Sequence, residues 1–395
     1  MREVYLDHAA TTYLLPAVKE EMDKYWELNF GNPSALYSKG MDAAQSLAKA
    51  RGRVAKVLNC NSQEIVFVGS GTESDNLALQ GIAKANEVGE IIISTIEHDA
   101  IINTAKYLES IGWKIIYAPV DKDGLVDPKE LKKLITDKTV LVSIMYANNE
   151  IGTVQPIDEL VKIVKDINSN TIFHTDACQA GPYLDLDVEK LGVDLLTLNG
   201  SKLYGPKGTG LLYVRKHTNI KPIIYGGGQE FNIRSGTENI PGIMGLVKAL
   251  EIATADKEKE VKRLIALRNK FINSVQVNIE RVNLNGHATK RLPNNINLTF
   301  EDIEGEAILL YLNEKGIMAS TGSACASHSL DVSHVLKAIG LPYELIHGSI
   351  RFTLGKRNTD EDIDYVLEVL PEIVARLRAI SPVHLDEGKH PQVKQ

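Results

Sequence analysis

Residues 171–214 run TIFHTDACQAGPYLDLDVEKLGVDLLTLNGSKLYGPKGTGLLYV. Three short apolar runs, around Phe173, from Leu195 to Leu198 and from Leu211 to Val214, stop at polar or glycine residues and lack period-two alternation. Strands covered on both faces read this way. Upstream the texture repeats. IIIST at 91–95, KIIYAP at 114–119 and VLVSIMYA at 140–147 alternate with helical patterns at 98–111, 129–135 and 157–167. This alternation predicts an α/β fold, a mainly parallel sheet covered by helices. Ligands of such sheets gather at the carboxyl ends of the strands, so the residues just past each run are the candidates for chemistry.

On the amino side, Asn29-Phe30-Gly31-Asn32-Pro33-Ser34 breaks a helical pattern, a helix is expected from about Met41 to Leu58, and Glu64 to Val68 forms a strand that stops at Gly69-Ser70-Gly71. After Pro241 come long helices, including Lys257 to Val275, then strand candidates RVNLNG (281–286) and NNINLTF (294–300), a helix, a loop of small residues and a last helix from Thr359 to Ile380. That is the pattern of a smaller α+β unit. Two unequal domains suit 395 residues. The large one is placed at 16–257, the small one at 1–15 and 258–381, with a polar tail at 382–395.

Hydrophobic residues are 44% and charged residues 24%, which excludes a disordered or collagen-like chain. The net charge of −7 and the absence of a Lys/Arg stripe argue against a direct nucleic-acid ligand. Arg2, Glu3 and Asp7 stand where a secretory signal needs apolar residues, and no apolar run approaches the ~20 residues that span a bilayer. Three widely spaced cysteines, Cys60, Cys178 and Cys325, support neither a disulfide framework nor a zinc finger. A cytoplasmic protein without membrane attachment is expected.

Four features carry chemistry. Ser70 and Glu73 are spaced as a capping box at the start of ESDNLALQGIAKA, and the free N–H groups there, with Gly71 and Thr72, form an anion site or simply a capped helix. Asp176 and Lys202 each follow an apolar run, with Gln179 three residues past the first, giving either a structural ion pair or a carboxylate and an amine at one sheet edge. Pyridoxal 5'-phosphate needs such a lysine, an acid for its pyridine nitrogen and an anion site. His98 follows IIIST, where an imidazole either stacks on an aromatic ring and moves protons or holds a local hydrogen bond. Cys325 lies in Ser320 to Ser329, a run almost wholly of Ser, Thr, Gly and Ala that has little to bury and is expected to be mobile. A thiol there reads as reactive, whereas Cys60 and Cys178 read as buried small hydrophobes. Cys325, His328 and His334 supply at most three metal ligands, so no metal is expected.

These motifs resemble the pyridoxal-phosphate cysteine desulfurases of the NifS/IscS type. The resemblance runs from YLDHAATT at residue 5 through GNPSALYSKG, VGSGTESDNLAL, STIEHDAI, YANNEIGTVQPI, HTDACQA, NGSKLYGPKGTG and RSGTEN to STGSACASHSLDVSHVLKAIG and GSIRFTLGK, nearly the whole chain to about Ser381. It implies a fold-type-I pyridoxal-phosphate enzyme, class V aminotransferase-like, whose large domain has a mainly parallel sheet covered by helices and whose smaller α+β domain carries the catalytic cysteine loop. The long loop around Cys325 places it with the long-loop subgroup rather than the SufS type.

By the resemblance, Lys202 would form the Schiff base, Asp176 would pair with the pyridine nitrogen, His98 would stack on the ring and Gln179 would bond its phenolic oxygen. Gly71, Thr72 and Ser201 would hold the phosphate, with Thr237 expected from the other subunit of a homodimer. Asn148 would contact cofactor and substrate, and Arg351 would grip the carboxylate of L-cysteine as a fork. Cys325 would take the substrate sulfur as a persulfide and pass it to an acceptor protein such as an iron–sulfur scaffold. Ser201, Tyr37 and Tyr146 stand where the family commonly has His. A selenocysteine lyase, another fold-type-I lyase or aminotransferase, and a partner-binding sulfur-relay platform are the competing readings.

Overall fold

Alternate residues of the central strands face opposite ways, and both ways are dry. Ile92, Val142, Phe173, Leu196, Leu211 and Tyr213 join one hydrophobic cluster, while their neighbours Ile91, Ile93, Leu141, Leu195, Leu212 and Val214 join another. This two-sided burial is why the runs are continuously apolar. The structure is a computed structural model and describes residues 2–321 and 332–381. The strands are β1 (Val4–Tyr5), β2 (Ile65–Val68), β3 (Glu90–Ser94), β4 (Lys114–Ala118), β5 (Thr139–Ser143), β6 (Ile172–Asp176), β7 (Leu195–Asn199), β8 (Gly210–Val214), β9 (Val282–Leu284), β10 (Asn295–Phe300), β11 (Ile317–Met318) and β12 (Ser349–Thr353).

Seven strands form the main sheet in the order β2-β8-β7-β6-β5-β3-β4. Only β8 runs against its neighbours β2 and β7; the pairings β3–β4, β3–β5, β5–β6 and β6–β7 are all parallel. The helices Ser38–Leu58 and Ile157–Ile167 pack on one face, through residues such as Val54, Leu58, Leu160 and Val164. Helices Gly71–Ala85 and Asp99–Ser110 pack on the other through Leu77, Leu79, Ile82, Ile101 and Leu108. A smaller antiparallel sheet, β12-β10-β9, lies beyond, and β1 pairs with β11 in parallel, tying the first residues to the late part of the chain.

The charged stretch near 255–260 reads in the sequence either as a domain linker or as the exposed face of one long helix, and the structure has the helix. It runs unbroken from Ile240 to Asn278, through the charged residues 255–260 where the domain boundary is expected. Gly242 and Gly245 obscure its first turns. A Cβ on Gly245 would stand 2.7 Å from the Met22 side chain, so that glycine permits close packing against helix Pro16–Asp23 rather than ending a helix.

The segment after β8 is fastened by a buried ion pair. Arg51 and Glu230 lie almost out of solvent, with the Arg51 guanidinium between the rings of Phe67 and Phe231, and the Phe67 N–H donates to Glu230 at 2.8 Å. Glu230, Phe231 and Asn232 all have positive φ, a strained turn that this anchor holds. Arg51→Ala strands the Glu230 carboxylate and is expected to cost about 3–5 kcal/mol. Urea unfolding should show this, and Arg51→Met/Glu230→Met should recover part of the loss.

Candidate active site

The carboxyl ends of β2, β3, β5, β6 and β7 meet at one edge of the sheet, around a cavity of about 330 Å³. Asp176 closes β6, and Lys202 follows the end of β7 by three residues. Because β6 and β7 are adjacent and parallel, with Asp176 opposite Thr197, the carboxylate and the amine are delivered to the same cavity. Asp176 is nearly buried and accepts the Cys178 N–H at 2.8 Å. The Lys202 ammonium contacts the Ala10 carbonyl, and burial holds its pKa below the ordinary lysine value, which favours the neutral, nucleophilic amine.

The helix Gly71–Ala85 opens onto the cavity with Ser70, Gly71 and Thr72 in its wall. Ser70 Oγ accepts the Glu73 N–H at 3.0 Å, so half of the expected capping box forms. The other half does not: the Glu73 carboxylate takes the Gly69 N–H at 2.8 Å and pairs with Arg234 at 2.7 Å. A Cβ on Gly71 would stand 2.8 Å from Cys178 Sγ and 3.1 Å from Asn199 Nδ2. Packing therefore already demands glycine at that position.

His98 lines the cavity and caps helix Asp99–Ser110, its Nδ1 accepting the Ala100 N–H at 3.1 Å. The local hydrogen bond expected of this residue therefore forms, and it assigns the imidazole proton to Nε2. Gln179 lines the cavity while donating to the Ala9 carbonyl at 3.0 Å. Ser201 lines it too, and its carbonyl accepts both the N–H and the hydroxyl of Thr12 at 2.9 Å. Cys178 is buried, as expected, and burial pushes its thiol pKa up; Cys60 is only half-buried, its pKa raised to about 12 mainly by desolvation.

Asn148 is a correction. Its side chain is fully buried and used locally, donating to the Ile96 carbonyl at 2.9 Å and accepting the Glu150 and Ile151 N–H groups at 2.8 and 2.9 Å. The next residue, Asn149, lines the cavity instead. Asn148→Ala is therefore expected to cost about 1–3 kcal/mol of stability in a thermal or urea melt. Asn149→Ala should melt close to the unaltered protein and show its defect in ligand binding.

Arg351 reaches the cavity from β12, with Nη1 donating to the Asn149 carbonyl at 3.1 Å and Nη2 to Asp7 at 2.8 Å. Asp7 and the cavity-lining Ala9 and Ala10 are missed by the sequence reading: two of them are alanines, and Asp7 lies 344 residues from its partner. Thr237 is exposed and does not line the cavity of its own chain. The phenol of Tyr146 is also outside the lining, although its N–H donates to the Asp176 carbonyl at 2.9 Å; Tyr37 is exposed.

Cys325 and His328 lie outside the described residues. The chain on either side of them is fixed at the site. Ser320 exchanges backbone hydrogen bonds with Arg351 at 3.1 and 2.6 Å, Ser333 Oγ donates to Glu150 at 2.6 Å, and His334 Nε2 is 2.9 Å from the Glu97 carbonyl. Among the described residues no group of three or more His, Cys, Asp or Glu side chains is arranged for a metal ion.

The model of the aminotransferase class-V family matches residues 4–366. The chain belongs to the class-V aminotransferase family. Within it, the chain is of the NifS/IscS cysteine desulfurase type. It is 50% identical over 383 residues to a cysteine desulfurase IscS of Dictyoglomus turgidum, covering 96% of this chain and 97% of that one. A solved NifS-like protein, 38% identical, superimposes with a TM-score of 0.90 over 95% of this chain and 100% of its own. A structure of SspA in complex with cysteine, 35% identical, gives 0.78 over 89% and 98%.

The family is pyridoxal-phosphate dependent, and the donor set of this class-V chain suits that group. One cavity gathers an amine on Lys202, a carboxylate on Asp176, the open N-terminus of a helix at Gly71 and Thr72, and the hydroxyl of Ser201. In the large sheet these come from three separate strand ends, those of β2, β6 and β7, so the fold itself composes the site.

Proposed function

We propose that the chain removes sulfur from L-cysteine, giving L-alanine and a persulfide on Cys325 that passes to an acceptor protein. The observation that carries this reading is the convergence of Lys202, Asp176 and the Gly71 helix start on one cavity, with both ends of the Cys325 segment fastened beside it.

Lys202, Asp176, His98, Gln179, Gly71, Thr72 and Ser201 would hold pyridoxal phosphate. Bound there, the cofactor supplies an electron sink that lets the substrate's carbon skeleton part with its sulfur. The chain's own groups do the rest. The Arg351 fork, already aimed by Asp7, pairs with the substrate carboxylate beside Asn149. Lys202 Nζ takes the α-proton and later returns a proton to the carbon skeleton. The Cys325 thiolate attacks the substrate sulfur: an S–S bond forms, the C–S bond breaks, and its electron pair stays with the three-carbon skeleton. Cysteine and a thiol thus become alanine and a persulfide, with atoms and electrons balanced. An unperturbed thiol, pKa roughly 8.5, is only a few per cent thiolate at neutral pH, so the attack on sulfur calls on that small ionised fraction of Cys325.

Thr237, exposed on its own chain, suits a homodimer in which it completes the partner's phosphate site. A reducing compartment such as the cytoplasm suits a free reactive thiol. Among the described residues no helix is long and apolar enough to cross a membrane. The test is alanine and sulfide formation from L-cysteine by the purified, cofactor-loaded protein with a thiol reductant. Alanine without a protein-bound sulfur intermediate would favour a lyase reading, and a keto acid that keeps the sulfur, in place of alanine, a transaminase reading.

A further inference from the structure

In the floor of the cavity lies a carboxyl group that the proposed chemistry does not use. Asp75, one turn into helix Gly71–Ala85, lines the cavity yet is almost wholly buried, and its Oδ1 has no hydrogen-bond partner. Around it the other polar groups are already engaged. His174 on β6 stands 3.8 Å away through Nε2, but its Nδ1 lies 2.8 Å from Ser143 Oγ and its Nε2 3.0 Å from Thr197 Oγ1. Thr197 Oγ1 is also 2.8 Å from Ser74 Oγ. Burial pushes the His174 imidazole down to about 3, so it offers Asp75 no positive charge.

The ionisable groups that bear on Asp75 from the surrounding elements are Asp176 at the end of β6, Glu97 after β3 and Cys178, none of them a cation. Glu97 is itself buried, with its pKa raised to about 8 by desolvation. Lys202 and Cys178 complete the titratable neighbours of Asp176. Two carboxylates in one dry floor without a cation for each cannot both ionise. Asp176 accepts the Cys178 N–H, whereas Asp75 Oδ1 accepts nothing, so the proton belongs on Asp75. Desolvation, first, and the Asp176 and Glu97 charges act in that same direction on Asp75 and outweigh its hydrogen bond to Thr197, which favours the ionised form.

We propose that Asp75 is a positioning residue acting through Asp176: it stands in the floor as a neutral carboxylic acid and leaves Asp176 as the single negative charge facing the cavity. This rests on the reading of the cavity as the pyridoxal-phosphate site. One ring-nitrogen cation then meets one carboxylate, and Lys202 is spared a second negative charge that would raise its pKa.

The test uses the full-length protein stripped of cofactor and reloaded with pyridoxal phosphate. Infrared difference spectra of Asp75→Asn against the unaltered protein at neutral pH should show loss of a protonated-carboxyl band. Asp75→Asn, neutral and of the same shape, should bind the cofactor within about twofold of the unaltered protein, with the same visible absorbance and the same pH titration of that absorbance, whereas Asp176→Asn should weaken binding at least about tenfold. Loss of an ionised-carboxylate band instead, or an Asp75→Asn affinity as poor as that of Asp176→Asn, would overturn the proposal. If Asp75→Asn does not fold, Glu97→Gln decides: a protonated-carboxyl band that persists in it supports the neutral Asp75, and its absence opposes it. An unaltered protein that takes up no pyridoxal phosphate would instead sink the function reading itself.

Discussion

Lys202→Ala lowers alanine formation from L-cysteine by at least about 10³-fold, because one amine serves both as the anchor of the cofactor and as the base that moves the α-proton. The geometry makes replacement from nearby difficult. Lys207 is the other lysine of the same loop, but its ammonium lies 3.4 Å from the Thr12 carbonyl and it does not line the cavity. The fold should be indifferent to the change, since the Lys202 side chain lines the cavity and, among the described residues, its ammonium bonds the Ala10 carbonyl. Equal thermal melts with activity lost would separate chemistry from stability. Added small primary amines should restore a fraction of the rate, whereas an activity within about tenfold of the unaltered enzyme would remove Lys202 from the reaction.

Cys325→Ala is the second large effect. Sulfide and alanine production should fall by at least about 10²-fold, in line with removal of a nucleophile. Cofactor uptake and the change in visible absorbance on adding cysteine should remain, because neither depends on the thiol. That combination distinguishes a sulfur transfer to the protein from a lyase that expels sulfide directly into solvent, for which Cys325 would be dispensable. Cys178 cannot stand in: although it lines the cavity it is buried, desolvation pushes its thiol pKa up, and it packs against Gly71. Cys60 is as inert, its pKa near 12. An exposed reactive thiol should therefore map to one position, measurable by alkylation of the native protein.

Much of this was legible in the residues because the chemistry and the fold write the same pattern. A strand buried on both faces is a short apolar run, and the first polar residue beyond it sits at the sheet edge, so Asp176, Lys202 and His98 announce themselves. What stayed hidden depends on geometry between distant segments. Nothing local distinguishes Asn148 from Asn149; the turn that folds the first inward to Ile96 and leaves the second lining the cavity is held by three hydrogen bonds between the Asn148 side chain and backbone groups. The Arg351–Asp7 pair joins β12 to the chain's beginning, and Ala9 and Ala10 contribute carbonyls rather than side chains. Glu73 carries a capping signature that Arg234, 161 residues away, redirects. The helix Ile240–Asn278 was obscured by glycines whose role is set by the packing of Met22 against Gly245.

The central claim is that sulfur leaves cysteine by way of Cys325. Its most direct test is a single turnover: stoichiometric sulfur-labelled L-cysteine added to the cofactor-loaded protein without reductant, followed by intact-mass and peptide analysis and by alanine determination. One labelled sulfur atom on the peptide that contains Cys325, with one alanine formed per subunit, is the expected result. Alanine formed with the label free as sulfide, or label on Cys60 or Cys178, would contradict it.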